Sequence, residues 1–79
     1  MIKVLLFGSL ATQAGQREID IEATSETQKV SDIVAEVEEK YLKRKAGIYM
    51  LAINETQVRP EEIVEDGDEV AIMPPFSGG

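Results

Sequence analysis

The sequence Asp66-Gly-Asp-Glu-Val-Ala-Ile-Met-Pro-Pro75 contains a turn, a strand and the end of that strand in one short stretch. Asp66-Gly67-Asp68 is a turn signal, and the largely apolar run Glu69 to Met73 predicts a strand. Pro74 and Pro75 fix φ and remove two N–H donors, so the strand cannot continue to pair. The chain must therefore leave the sheet after Met73.

Pro74 to Gly79 are predicted to form an extended C-terminal arm, separate from a folded domain of residues 1–73. Phe76 gives the arm one apolar anchor, whereas Ser77-Gly78-Gly79 has almost no side-chain bulk. The arm spans up to about 20 Å when extended, and residues without side chains pass easily through a narrow channel. Such an arm is suited to enter a deep pocket on another protein.

The composition excludes several classes of function. The 79 residues form one small domain, and 15 acidic against 8 basic residues leave a formal net charge of −7. Nucleic acids and anionic membranes are bound through Lys and Arg, so neither is an expected partner. There is no Cys and no His, so the chain lacks a thiolate nucleophile, a zinc site and the commonest general base. It is not expected to be an enzyme on its own or to bind a metal.

Acidic residues crowd the stretch from Glu55 to Glu69, which only Arg59 relieves. This stretch is either a solvated face or a docking surface for a basic protein. Asp66 and Asp68 could in principle bind Mg²⁺ or Ca²⁺ or act as acid and base, but residues 65–69 lack the spacing of a calcium loop. We therefore interpret them as a turn.

The N-terminal segment Met1 to Ala11 has one Lys before an apolar run and so faintly resembles a signal peptide. Only Val4 to Phe7 is continuously apolar before Gly8, and its removal would leave too little core for folding. No stretch approaches the ~20 apolar residues of a membrane span. The expected compartment is the cytoplasm.

Two strands and one helix are predicted in the first part of the chain. Ile2 to Phe7 reads as a strand, followed by a loop that Gly8, Ser9 and Gly15 mark. Arg17 to Glu22 alternates between apolar and charged residues, which predicts a half-exposed strand whose charges discourage edge pairing. From Val30 to Tyr41 the apolar period becomes about three and a half, which predicts an amphipathic helix that stops at Gly47.

Met50 to Ile53 is predicted to be the next strand, with a turn at Asn54–Thr56 and a short extended piece around Val58. Pro60 to Val64 is predicted to be a helical turn or a loop. The order is therefore β-β-α-β-β, an α+β fold. A single helix covers only one face of such a sheet.

The uncovered face is predicted to carry an apolar patch. On the first strand, Lys3 marks the side of Leu5 and Phe7 as the open one, because alternate residues face opposite sides. If the last strand lies beside the first, Ala71 and Met73 share that side. Exposed apolar patches often mark interfaces, unless loops 13–16 or 55–65 cover them.

The chain resembles the ubiquitin-like sulfur-carrier proteins, and among them the small subunits of molybdopterin synthase. The resemblance runs nearly end to end and is carried by these segments: Asp66-Gly-Asp-Glu-Val70, Pro74-Pro75, Gly78-Gly79, Ile2-Lys-Val-Leu-Leu-Phe7 and Leu51-Ala-Ile-Asn54. It implies a β-grasp fold, a mixed sheet with parallel central first and last strands and one helix packed across one face. Ala11, where the family often has Arg, and Phe76, where a smaller apolar residue is usual, depart from the pattern.

The resemblance also implies a mechanism. An activating enzyme uses ATP to adenylate the carboxylate of Gly79, and sulfur then replaces AMP to give a thiocarboxylate. The large subunit of the synthase takes up the tail, and the sulfur passes to a cyclic pyranopterin phosphate during molybdenum cofactor biosynthesis. The chain itself is expected to bind no cofactor.

Three other functions stay open at this point. Sulfur could pass instead to thiazole or to tRNA, although thiazole carriers are typically shorter and lack the Pro-Pro pair. Gly79 could form isopeptide bonds with lysines, as in ubiquitin-like protein modifiers. The chain could also be a non-covalent binding domain with a chance Gly-Gly end.

Overall fold

The computed structural model describes residues 1–43 and 48–75. Its elements, in chain order, are β1 (Ile2–Leu6), α1 (Ser9–Ala14), β2 (Glu18–Ile21), α2 (Val30–Tyr41), β3 (Met50–Ile53), β4 (Thr56–Val58) and β5 (Glu69–Met73). The four predicted strands and the predicted main helix are all present. The loop predicted between β1 and β2 is wrong, because it contains α1, and the extended piece around Val58 is a full strand.

The strands form one sheet with the order β2-β1-β5-β3-β4. β1 pairs parallel with β5, with Val4 opposite Val70, and every other pairing is antiparallel. The first and last strands therefore lie side by side near the centre of a mixed sheet, as the resemblance implied. The half-exposed strand β2 lies at an edge, where its charged residues face water.

The core lies between one face of the sheet and α2. Alternate residues of β1 and β5 are fully buried, because the pleat turns every second side chain toward the helix. The largest fully buried side chains are Ile2, Val4, Ile21, Val30, Ile33, Val37, Val64, Val70 and Ile72. The helix contributes three of them along one stripe, in agreement with the predicted amphipathic pattern.

The start of helix α2 is stabilised by two hydrogen bonds between Lys29 and Asp32 that the sequence pattern did not indicate. The Lys29 N–H donates to Asp32 Oδ2 at 2.9 Å, and the Asp32 N–H donates to the Lys29 carbonyl at 2.9 Å. At the exposed surface Lys40 Nζ donates to Glu36 Oε2 at 3.2 Å, one turn away. The helix ends at Tyr41, so the predicted stop at Gly47, which lies outside the described residues, was placed too late.

Helix α1 has only six residues, fewer than two turns, which is too short for an amphipathic repeat to reveal it in the sequence. Gly8 precedes it, and Leu10 lies in the core with 3% of its surface exposed. It ends at Gly15, which has φ +74° and donates its N–H to the Ala11 carbonyl at 2.9 Å. The glycines that suggested a loop in fact flank a helix.

A two-residue turn joins β3 to β4. Asn54 and Glu55 both have positive φ, 48° and 72°, and Ile53 pairs with Thr56 across the turn. This is the type I′ pattern, whose twist matches a hairpin. Asn54 Nδ2 also donates to Asp68 Oδ1 at 3.0 Å, and the Glu69 N–H donates to Asn54 Oδ1 at 3.0 Å, so the turn is tied to the start of β5.

Glu55 is the residue of this turn at which a substitution is expected to increase stability. A non-glycine residue at positive φ costs about 1 kcal/mol or more, and Asn-Gly is a preferred type I′ pair. Glu55→Gly is therefore expected to raise the free energy of unfolding in urea by about 0.5–1 kcal/mol. Glu55→Ala keeps a Cβ and is the matched control. A glycine variant no more stable than the alanine variant would contradict this account.

The turn before β5 is also held by the N-terminus. The Met1 ammonium donates to Asp66 Oδ1 at 2.5 Å, and the Gly67 N–H donates to the Met1 carbonyl at 3.0 Å. The hydrogen bond from the ammonium, and then its positive charge, lower the pKa of the Asp66 carboxyl from its ordinary value of 3.8. A carboxyl whose folded pKa is depressed stabilises the fold above its unfolded pKa, and this contribution is lost as the pH falls through the folded pKa.

Asp66→Asn is expected to lower the free energy of unfolding slightly at pH 7, because the amide cannot pair with the ammonium as a charge. The difference from the native chain should shrink as the pH falls below 3.8, since protonation then removes the same charge from Asp66 itself. Urea denaturation at pH 7 and at successively lower pH measures both effects. Glu26→Gln, at another exposed position, is the control, and a difference that stays constant down to the lowest pH would refute the ion pair's role.

Candidate functional site

The predicted arm starts at the end of β5, a central strand, next to the end of β1. The Phe7 N–H donates to the Ile72 carbonyl at 3.2 Å, so pairing between the first and last strands extends one residue beyond β1. Pro74 and Pro75 follow β5, are half-buried and carry no N–H. The strand thus ends where the sequence predicted. Phe76, Ser77, Gly78 and Gly79 lie outside the described residues, and their role in tail insertion stays a prediction, as does the division into residues 1–73 and 74–79.

Gly8 lies against the root of the arm. It has φ +57° and ψ −133°, a conformation that side chains rarely adopt, and it directly precedes α1. A Cβ at this position would lie 3.2 Å from Pro74 Cγ. The missing side chain therefore lets the β1–α1 corner pack closely against the first residue of the arm.

The open face of the sheet carries the predicted apolar patch. Leu5 is opposite Ala71 in the parallel pairing, and Met73 is two residues further along β5 on the same side. Phe7 follows β1 and is 45% exposed. The structure thus brings all four predicted residues together beside the root of the arm, and their contact with a partner stays a prediction.

Two further residues of the open face were missed. Met50 is opposite Met73, and Ala52 is opposite Ala71, so β3 extends the patch across the sheet. Met50 is 44% exposed, whereas Ala52, at 7%, is largely covered by its neighbours. Alternation within β3 could have placed them on one face, but only the pairing of β3 with β5 shows that this face is the open one. We call Leu5, Phe7, Met50, Ala52, Ala71 and Met73 the apolar patch.

The loops that could have covered this patch lie elsewhere. The segment before β2 forms α1, whose Leu10 enters the core. Residues 60–64 run beside the start of α2, where the Val30 N–H donates to the Glu62 carbonyl at 2.9 Å and the Val64 N–H donates to the Gln28 carbonyl at 2.8 Å. Leu10 and residues 60–64 therefore lie on the helix side of the sheet, and Thr56–Val58 form β4 within it.

The rim of the apolar patch is mainly acidic on the β2 side. Glu18 is opposite Leu5, and Asp20 is opposite Lys3. Lys3 Nζ lies 4.0 Å from Glu18 Oε2, and Glu69 is opposite Lys3 on the other side. Exposed pairs of this kind add little stability, so this rim mainly sets the sign of the charge that a partner would meet.

The acidic residues near β5 have structural partners. Asp68 Oδ2 accepts from the Glu65 N–H at 2.8 Å and Oδ1 accepts from Asn54, so this carboxylate closes the turn before the strand. Asp66 accepts from the Met1 ammonium. Within residues 1–43 and 48–75 no group of three or more Asp or Glu side chains is arranged to hold a metal ion. The turn interpretation of Asp66-Gly67-Asp68 is confirmed.

A depression of about 480 Å³ adjoins the apolar patch at the end of the sheet where β1 leads into α1. It is lined by Leu5, Leu6, Phe7, Gly8, Ala11, Thr12 and Arg17. Ala11, one of the two departures from the family pattern, thus lies on the wall of this depression, and Arg17 approaches it from the start of β2. The predicted loop gave no reason to bring these two positions together.

None of the helices in the described ranges is long and apolar enough to cross a membrane.

Together these features define a class of protein: a ubiquitin-like β-grasp domain whose central last strand ends at Pro74 and Pro75 beside an open apolar face. The ThiS family model matches residues 4–79, and the chain belongs to this family. It is 37% identical over 82 residues to a molybdopterin synthase sulfur carrier subunit from Chlamydomonas reinhardtii, with 99% of this chain and 98% of that protein covered.

Solved structures agree with this assignment. A Pyrococcus furiosus protein described as subunit 1 of a molybdopterin converting factor superposes with a TM-score of 0.82 at 28% identity, covering 95% of this chain and 97% of that chain. A chain from the complex of subunits 1 and 2 of the Helicobacter pylori molybdopterin-converting factor superposes with a TM-score of 0.67 at 25% identity, covering 99% of this chain and 97% of the other. The β-grasp fold that the resemblance implied is confirmed.

Proposed function

We propose that this chain is the sulfur-carrier subunit of molybdopterin synthase. The observation that carries the proposal is that the central strand β5 ends at Pro74 and Pro75 beside the apolar patch, with Gly78-Gly79 following in the sequence. In a complex with a partner docked on the patch, the root of the arm would lie at the edge of the contact surface. Relatives named as sulfur carriers of this synthase support the same conclusion.

The reacting group in this proposal is the α-carboxylate of Gly79. A carboxylate is a poor electrophile because its leaving group would be oxide, so it must first be activated. An adenylating enzyme joins the carboxylate to the AMP portion of ATP and releases pyrophosphate. A sulfur nucleophile then displaces AMP, which departs with one carboxylate oxygen, and a thiocarboxylate remains. ATP is thus a substrate of the activating enzyme and not a cofactor of this chain.

Catalytic groups belong to the partners in this scheme. The chain has no Cys or His, and its net charge of −7 disfavours binding of an anionic pyranopterin phosphate. The large subunit of the synthase supplies the cations and bases of the reaction. This chain supplies the sulfur at the end of its C-terminal arm. The chain is therefore a non-catalytic subunit of a two-subunit sulfurtransferase. A cytoplasmic location is part of the proposal.

Mass spectrometry tests the carrier chemistry. After incubation with ATP, a sulfur source and the cognate activating enzyme, the intact chain is expected to gain the mass difference between one sulfur and one oxygen atom, located at Gly79. A chain with one alanine appended after Gly79 is the control and should lose the activity that depends on the Gly-Gly end. An unchanged mass for the native chain would refute the proposal.

Recovery of partners separates the related functions. Bound to a support, the chain is expected to retain the large subunit of molybdopterin synthase. Recovery of a thiazole synthase or a tRNA-thiolating enzyme in its place would assign the sulfur to another acceptor. Slower-migrating conjugates on a denaturing gel would indicate a protein modifier.

The apolar patch should contribute directly to binding of the large subunit. Phe7 exposes 45% of its surface, and burial of that area is worth about 2 kcal/mol, so Phe7→Ser is expected to weaken binding roughly 30-fold. Ile48→Ser is the matched control, because Ile48 is 71% exposed and lines a groove with Val34 and Ala35 of α2. Isothermal titration with the purified large subunit measures both variants. Equal losses for the two variants would show that the open face is not the docking surface.

A further inference from the structure

Arg17 is an exposed cation without an ion pair among residues 1–43 and 48–75. Among the described basic side chains, Lys3 lies 4.0 Å from Glu18 and Lys40 lies 3.2 Å from Glu36, whereas Lys29, Lys43 and Arg59 share with Arg17 the lack of an ion pair. What sets Arg17 apart is its place on the wall of the depression. An incoming carboxylate would therefore not have to displace an ion-pair partner of Arg17 within the described residues. The Arg17 carbonyl accepts from the Leu6 N–H at 2.8 Å, which fixes the backbone of Arg17 beside the end of β1.

The surroundings of Arg17 suit an incoming carboxylate. Apart from Arg17 and Thr12, the side chains that line the depression are apolar or absent, and no acidic residue is among them. A carboxylate that entered would lose part of its water and would meet the guanidinium in a less polar medium, which strengthens their attraction. Arginine also presents a planar fork of donors that matches the two oxygens of a carboxylate.

The position of the depression indicates whose carboxylate it takes. Phe7 belongs both to the apolar patch and to the depression, and Gly8, on its wall, lies against Pro74 at the root of the arm. The depression is therefore continuous with the face on which the tail-accepting partner is proposed to dock. The neighbouring rim, with Glu18 and Asp20, has the opposite charge. A partner with an acidic group at one place and basic groups beside it would fit in only one orientation.

We propose that Arg17 and this depression take an acidic side chain, flanked by an apolar residue, of the large subunit that accepts the tail. This inference rests on the function proposed above and adds the chemistry of the partner's contact. Arg17 is a specificity-determining residue in this account, because it sets the orientation of the carrier and does not touch the reacting sulfur.

Binding of the purified large subunit to the full chain tests the inference. Arg17→Gln is expected to raise Kd by about 10- to 100-fold, and Arg17→Lys by less, because a lysine ammonium lacks the fork. The loss should shrink as salt is added. Arg59→Gln removes the same charge from a position just before Pro60, whose carbonyl accepts from Ser31 near the start of α2, and should leave Kd unchanged.

Turnover provides a second readout. Arg17→Gln should raise the KM of the synthase for the thiocarboxylated chain with little change in kcat, since the reacting groups are untouched. Arg17→Glu should bind still more weakly and should be rescued by replacing one acidic residue of the large subunit with lysine. The variants should still be thiocarboxylated at Gly79, which separates this inference from the carrier function.

Two results would overturn the inference while leaving the proposed function intact. One is that the native chain binds the large subunit and is thiocarboxylated, but Arg17→Gln has the same Kd as the native chain. The other is a loss that disappears when Gly79 carries a carboxamide, because Arg17 would then pair with the chain's own terminal carboxylate. Failure of the native chain to bind the large subunit would instead contradict the proposed function itself.

Discussion

The parallel pairing of β1 with β5 is the contact on which the rest of the structure depends. It joins residues more than sixty positions apart, with Val4 opposite Val70 and Leu6 opposite Ile72, and all four are buried under α2. Because the two strands run in the same direction, they end at the same edge of the sheet. The shared direction brings the β1–α1 corner next to Pro74 at the root of the predicted arm, and the missing side chain of Gly8 lets the two pack closely.

A single long helix leaves this sheet with two different faces. The side chains that point toward α2 form the core, and the alternate ones remain on a face that no described segment covers. The centre of that face is apolar and its β2 edge is acidic, so a partner that docked there would make hydrophobic contact in the middle and meet charge at the edge. Pro74, the first residue of the predicted arm, follows Met73 of this face, so the proposed docking and delivery of the tail would take place side by side.

Much of the fold could be predicted because its signals are local. Residues 17–22 alternate between apolar and charged, and Val30–Tyr41 has a helical period. Each pattern lies within one short segment, and the structure has both elements. Helix α1 was missed because six residues make fewer than two turns and show no repeat, and its flanking glycines are equally typical of a loop. The end of α2 was placed too late, because a glycine is only one of several ways in which a helix stops.

The sequence by itself determined where the last strand ends, since Pro74 and Pro75 lack the donors that pairing requires. It also predicted that the chemistry lies at the arm, since the chain has no Cys or His. Only the tertiary structure decided that Met50 and Ala52 complete the apolar patch and that Arg17 shares a depression with Ala11 and Phe7. These neighbours come from different segments, and strand order and register, which no local pattern encodes, bring them together.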